Sequence, residues 1–198
     1  YPGRTRRLAT AAEVRAAQEW SMPTSVQFRS ELRDVLEAQG EDDRAVQLAN
    51  LGRIRGLDNI RKKYEGTLEA FERDDPLARK LADEAALNAF VASDQERAEA
   101  FAAKRDEFAE LLARDRATRE RDLVFRWLYV ASPMLAQANS LVRMAEARAE
   151  LDDDARDEGY QERDWPRRRA GLRRAQRSLH VPSDRAGMGW ILQKADAL

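Results

Sequence analysis

The stretch IRGLDNIRKKYEGTLEAF, residues 54–71, decides the fold class. Its apolar residues recur every three or four positions, which is the spacing of one helical face and not the alternation of a strand. On a helical wheel of 100° per residue they form a single stripe, which must face the core. The members of this apolar stripe are Leu57, Ile60, Tyr64, Leu68 and Phe71. We therefore predict one long helix from about Asp42 to Arg73, with a kink near Gly56.

Two glycines, Gly56 and Gly66, stand in the quoted stretch of this predicted helix, although each should cost roughly 1 kcal/mol relative to alanine. On the same wheel Gly56, Asn59, Lys63 and Gly66 form a second stripe, rotated by roughly 125° from the apolar stripe. We call these four residues the glycine ridge. A face without side chains beside a carboxamide suits the close approach of another body. The plainer alternative, which periodicity alone favours, is that Gly56 marks a bend or helix end and that Asn59 is a solvated surface residue.

The rest of the sequence also predicts helices almost throughout, because glycine and proline are scarce and no run alternates apolar and polar residues for long. The fold class is therefore all-α, a multi-helix bundle. A capping box at Thr10–Glu13 predicts a helix that ends at about Trp20, and the next helix is expected to begin at Pro23 and end at Gly40. Asp75 and Pro76 are expected as the N-cap and first residue of another helix, and a second capping box at Ser93–Glu96 predicts a further helix start. Helices over about 166–179 and 183–197 follow an acidic loop over 151–164.

Two interruptions are expected in the second half of the chain. The charged residues 116–121 predict a break or bend, and Pro133 predicts a kink in the most apolar helix. We interpret the part of that helix from Trp127 to Val142 as core, since an apolar stripe at helical spacing is more often core than a groove for a partner.

Composition excludes several kinds of site. The chain has 35 basic and 36 acidic residues, a net charge of -1, and this balance argues against a dedicated nucleic-acid binder. It has no cysteine, and no apolar run is long enough to span a membrane. It also has no phosphate-binding glycine motif, and we expect no cofactor. Its single histidine, His180, is expected to be a structural or surface residue. No metal site is expected, because one histidine without cysteine does not make a zinc site and the run 152–154 lacks the glycine and glutamate spacing of a calcium loop. The arginines over 167–177 are interpreted as a solvated face.

Several motifs resemble those of the bacterial dipeptidyl peptidases 7 and 11. They are the opening Tyr1-Pro2-Gly3-Arg4-Thr5, the following Thr10-Ala-Ala-Glu13-Val14, the Gly-x-x-Asn-x-x-Lys-Lys-x-x-Gly pattern at 56–66, and Gly159-Tyr160-Gln161-Glu162-Arg163-Asp164. Members of that family are serine exopeptidases in which a helical insertion interrupts a chymotrypsin-like double β-barrel. The resemblance covers residues 1 to about 185. Here Ile60-Arg61 stands where relatives often carry an aromatic residue, which leaves the shape of the pocket open.

The resemblance implies that residues 1–198 are a single helical domain of a larger serine-type dipeptidyl aminopeptidase, with its two termini close together. It implies that the domain covers the active-site cleft and that Asn59 helps to bind the free N-terminus of peptide substrates. The partners would be the N-terminus of the peptide substrate and the catalytic β-barrel domain of the same chain, with no role for nucleic acid or membrane. The enzyme would be periplasmic or otherwise extracytoplasmic, with a homodimer as one expected state. The domain would contain no catalytic residue and would be inactive alone. The alternative function is a free-standing helical module that binds an acidic protein or nucleic acid through its arginine-rich helix.

Overall fold

A computed structural model describes residues 10–150 and 152–197. Within these residues 87% of the chain is helical and no strand is present, so the fold class is all-α, as predicted. The helices are α1 (Ala11–Ala16), α2 (Met22–Ala38), α3 (Arg44–Asp74), α4 (Pro76–Ala92), α5 (Gln95–Ala131), α6 (Pro133–Ala149), α7 (Trp165–Ser178) and α8 (Val181–Ala195). A π-helical segment, Ala17–Ser21, joins α1 to α2, and a 3-10 turn, Glu162–Asp164, precedes α7.

The chain forms two compact units, Tyr1–Glu31 with Arg55–Thr118, and Leu32–Ile54 with Arg119–Leu198. In the first unit α1 contacts α4, and the backbone N–H of Ala11 donates to the Glu84 carboxylate at 2.7 Å. This bond satisfies one of the N–H groups that the first turn of α1 leaves open. The buried apolar residues of this unit are Ala11, Val14, Ala17, Phe28 and Leu57.

In the second unit the buried apolar residues come mainly from α2, α5 and α8. Trp127 and Trp190 meet edge to face, with their ring centroids 5.8 Å apart. Gly187 is buried so close to the carbonyl oxygen of Ala131 that an added Cβ would lie well under 3.0 Å from it. Only glycine allows α8 to approach the end of α5 this closely. The other buried apolar residues that α2, α5 and α8 contribute to this unit are Leu32, Leu36, Val124, Ala131 and Ile191.

A smaller cluster in the second unit holds the loop between α6 and α7. Met144, Tyr160 and Trp165 are buried together. The Arg168 guanidinium lies over the Tyr160 ring, 3.4 Å from its centroid, and its Nε donates to the carbonyl oxygen of Gly159. Gly159 has a φ of 84°, a left-handed conformation that glycine adopts without strain.

Local capping chemistry confirms two of the predicted helix starts. Thr10 and Glu13 form a reciprocal capping box at the start of α1. Asp75 caps α4 through a 3.0 Å bond from Ala78 N, with Pro76 as the first helical residue. At the third predicted start the cap is Asp94, whose carboxylate accepts from Arg97 N at 2.9 Å, and not the preceding serine.

Three predicted interruptions are wrong in form. The break expected between Trp20 and Pro23 is a π-helical segment within continuous helix. The bend expected over 116–121 is absent, since α5 runs unbroken through a stretch that has charges but no helix-breaking residue. Pro133 does not kink a helix: it begins α6 after the N-cap Ser132, whose hydroxyl accepts from Leu135 N at 3.1 Å.

Two predictions of core residues are also wrong. Ile60, assigned to the apolar stripe, is 40% exposed, whereas Leu57 one turn earlier is buried. In the segment Trp127–Val142 the first residue is buried, but Leu141 and Val142 are 54% and 56% exposed. The reason is the break at Pro133, which makes α6 a separate helix that buries its Met144 side. The opening motif at residues 1–5 and the expected proximity of the two termini lie outside the described residues.

Candidate functional site

The glycine ridge lies on the part of α3 that belongs to the first unit. Gly56, Asn59, Lys63 and Gly66 are all exposed within the described chain. They follow one another at three- and four-residue intervals along about 15 Å of helix, since each residue adds 1.5 Å. The structure therefore brings the four predicted residues onto one solvent-facing strip. Their role in binding stays a prediction.

The two glycines have no packing role that a contact reveals. A Cβ added at Gly56 or at Gly66 would meet no atom within 4 Å other than those of its own helix turn and chain neighbours. Alanine would therefore fit at both positions and would favour the helix by roughly 1 kcal/mol each. The glycines lower the stability of α3 without serving a contact between described residues.

The charges around Asn59 are basic, a feature that the analysis of the sequence missed. Arg55 and Lys63 stand four residues before and after Asn59, and both are exposed. The adjacent Asp58 is engaged by Arg61, whose Nε lies 3.4 Å from the carboxylate. The strip by itself therefore attracts a carboxylate and repels an ammonium group. The signal was present in the sequence as the spacing of the basic residues.

A buried polar cluster in the second unit joins α2, α3, the start of α6 and α8. Asn50 donates to Leu36 O at 3.0 Å and to Ser183 Oγ at 2.9 Å. Asp184 accepts from Ser132 Oγ at 2.7 Å and from Met134 N at 2.9 Å, which caps α6. Every one of these polar groups is paired, as buried polar groups must be.

Arg53 closes the C-terminal end of α5 in the same unit. Its Nη2 donates to Ala131 O at 2.9 Å, one of the carbonyl groups that the end of a helix leaves open. Burial lowers the pKa of the Arg53 guanidinium, and the Asp184 carboxylate opposes this shift. Arg53 and Asp184 thus both bind the junction of α5 and α6, where Asp184 is buried and Arg53 is half-buried.

Ser183 and His180 have the elements of a nucleophile and a base but not the access. The two side chains lie 2.7 Å apart, and His180 Nδ1 also accepts from Ser183 N, which makes His180 the N-cap of α8. Ser183 is 0% exposed and its Oγ accepts from Asn50, so no substrate reaches it. The prediction that His180 is structural is confirmed. Because the chain has no second histidine, its residues assemble no serine triad.

The acidic loop before α7 is held by hydrogen bonds. Asp153 accepts from Arg156 Nη1 and from Glu162 N, each at 2.8 Å. Over residues 10–150 and 152–197 no group of three or more acidic, histidine or cysteine side chains is arranged to hold a metal ion. In the same residues no helix combines the length and the apolar character needed to cross a membrane.

Comparison with known proteins decides the family. The model of the peptidase S46 family matches residues 1–198. This chain belongs to the peptidase S46 family. An Asp/Glu-specific dipeptidyl-peptidase of Shewanella putrefaciens is 30% identical over 190 residues, which are 93% of this chain and 25% of that protein. The S46 chain therefore spans about a quarter of the length of this relative.

Membership of the S46 family confirms the resemblance seen in the sequence and places the chain in a family of dipeptidyl peptidases. The matched residues include the glycine ridge and the loop around Tyr160. The described part of this S46 chain is helical, and the serine beside its one histidine, Ser183, is buried.

Proposed function

We propose that this chain is a non-catalytic helical part of a serine-type dipeptidyl peptidase, in which it covers the active-site cleft and helps to bind the free N-terminus of peptide substrates. The observation that carries the proposal is the glycine ridge. It exposes the Asn59 carboxamide between two glycines at which an added Cβ would meet no atom within 4 Å. The chain that carries this surface belongs to a family of dipeptidyl peptidases. Close approach by substrate or by a catalytic domain gives these glycines a purpose that packing within the chain does not.

Asn59 is the residue proposed to contact the substrate amine. Its side-chain oxygen accepts hydrogen bonds from an ammonium group, and a bond to a charged group contributes roughly 1.5–3 kcal/mol. Because Arg55 and Lys63 flank it, the amine needs a carboxylate from outside this strip to offset their repulsion. An amine held at a fixed distance from the nucleophile would make the enzyme release dipeptides and reject N-terminally blocked chains. The periplasmic or otherwise extracytoplasmic location implied by the resemblance is part of the same proposal.

The test is the kinetics of Asn59 variants in the intact peptidase. Reporter peptides with aspartate or glutamate as the second residue are the first choice, because the Shewanella relative is Asp/Glu-specific. Asn59→Ala should lower kcat/KM by roughly one to two orders of magnitude, following about 1.4 kcal/mol per tenfold. Asn59→Asp keeps an acceptor and should retain most of the activity. Asn88→Ala removes an exposed asparagine of α4 and is the matched control.

The outcomes separate binding of the amine from a general effect. Asn59→Ala should lose its preference for a free over an acetylated N-terminus, whereas the control should keep it. If Asn59→Ala and Asn88→Ala have the same kinetics, Asn59 is not part of the substrate site. The 198-residue chain by itself should cleave neither the free nor the acetylated reporter peptide. Cleavage of either peptide by this chain would refute its non-catalytic role.

A further inference from the structure

One face of α7 carries unpaired positive charge. Arginines 169, 173, 174 and 177 are exposed and border a shallow groove of about 450 Å³. We call this surface the arginine groove. Its lining residues are Pro166, Arg169, Ala170, Arg173, Arg174 and Arg177. On the helical wheel they span an arc of roughly 140°, whose centre is rotated by roughly 120° from the buried Trp165 and from Leu172.

These four guanidinium groups all lack an acidic partner among the described residues. None of them lies within 4.0 Å of a carboxylate of the described residues. By contrast Arg61 reaches Glu65 at 2.7 Å and Arg143 reaches Asp157 at 2.6 Å. Arg168, in the same helix, turns to the opposite side and holds Gly159 and Tyr160. The expectation that the arginines over 167–177 form a solvated face is therefore wrong for Arg168, which is half-buried.

Stabilisation of α7 does not explain the arrangement. The pairs Arg169/Arg173 and Arg173/Arg177 place like charges four residues apart, and each such pair destabilises a helix by roughly 0.2–0.5 kcal/mol. The helix dipole favours cations only in the last turn, where Arg177 stands. The helix has no acidic residue to offset these charges.

We infer that the arginine groove binds an acidic polypeptide segment. Planar guanidinium groups pair bidentately with carboxylates, and the stretch from Arg169 to Arg177 extends over about 12 Å, which two or three turns of an acidic helix would match. Nucleic acid fits less well. The groove has no aromatic side chain for bases to stack on. Since α7 contributes +6 to a chain of net charge -1, the remaining residues sum to -7 and repel a long polyanion.

The test is fluorescence anisotropy with the 198-residue chain. The probe is a fluorescein-labelled peptide of about 12 residues with glutamate at every fourth position, and the reference peptide has glutamine there. The triple variant Arg169→Gln/Arg173→Gln/Arg177→Gln should weaken binding of the glutamate peptide by at least about tenfold. Raising NaCl from about 50 to 200 mM should weaken binding by the unaltered chain.

A matched variant removes the same charge elsewhere. Arginines 105, 114 and 121 of α5 lie beside Asp106, Glu110 and Asp122 respectively. Their replacement by glutamine should leave binding of the peptide unchanged. Equal weakening by the two triple variants would show that only net charge acts, and would overturn the groove as a site. Tighter binding of a single-stranded DNA of similar length than of the glutamate peptide would overturn the class of partner.

Discussion

Replacing the glycines of the ridge by alanine tests whether they serve the fold or a surface contact. Each substitution should raise the free energy of unfolding of the chain by roughly 1 kcal/mol, because alanine is the better helix former and its methyl group meets nothing within 4 Å at Gly56 or Gly66. The two positions are ten residues, or about 15 Å, apart on α3, so their effects should add to roughly 2 kcal/mol. For a chain of this size that corresponds to a rise in Tm of roughly 4–8 °C.

The stability half of this prediction is measured by calorimetry and by urea unfolding followed by circular dichroism. Gly189→Ala in α8 is the matched control, since a methyl group there also meets nothing within 4 Å. It should raise stability like each ridge variant. A loss of stability at Gly56 or Gly66, with a gain at Gly189, would show that the fold itself needs the ridge glycines and would refute the reasoning.

The functional half uses the intact peptidase with free-amine reporters. The variant Gly56→Ala/Gly66→Ala should be more stable and yet lower kcat/KM, because two methyl groups stand where substrate or another domain approaches. Gly189→Ala should leave the kinetics unchanged. A double variant that gains stability and keeps full activity would mean that nothing approaches the ridge closely.

Three further substitutions test the second unit, each by urea unfolding of the chain. Gly187→Ala should destabilise by about 2 kcal/mol or more, in contrast to Gly189→Ala two residues later, because its methyl group overlaps the Ala131 carbonyl. Asp184→Ala should lower the free energy of unfolding by about 3 kcal/mol, because it leaves the buried donors of Ser132 and Met134 without an acceptor. Asp184→Asn keeps an acceptor and should lower it by less, so equal losses in the two variants would contradict this account. His180→Ala should cost about 1 kcal/mol, the typical loss of an N-cap, and no loss would contradict its capping role.

Local chemistry could be predicted from the sequence wherever a few neighbouring residues decide it. The capping box at Thr10 and the Asp75-Pro76 helix start are of this kind, since the cap and its acceptor are three residues apart. The same reasoning should have identified Ser132-Pro133 as a helix start, because it repeats the pattern of an N-cap followed by proline. The error was to treat a proline inside an apolar run as a kink.

Contacts between distant residues could not be predicted in this way. Asn50 and Ser183 are 133 positions apart, and nothing in either local sequence pairs them. The need for glycine at 187 likewise depends on where α5 ends. Leu141 and Val142 have the spacing of a core face and are nevertheless exposed, because the periodicity of a helix reveals an apolar side but not whether another element covers it.

The glycine ridge and the arginine groove share one physical property and can be tested independently. Each contains residues that lower the stability of their helix, glycines in one case and like charges in the other. No contact among the described residues requires these residues. They lie on different helices in different units, so the ridge variants should bind the glutamate peptide normally and the groove variants should keep amine recognition. If a change in either surface altered both activities, one of the two would be acting through the stability of the whole chain, and neither would qualify as a site of its own.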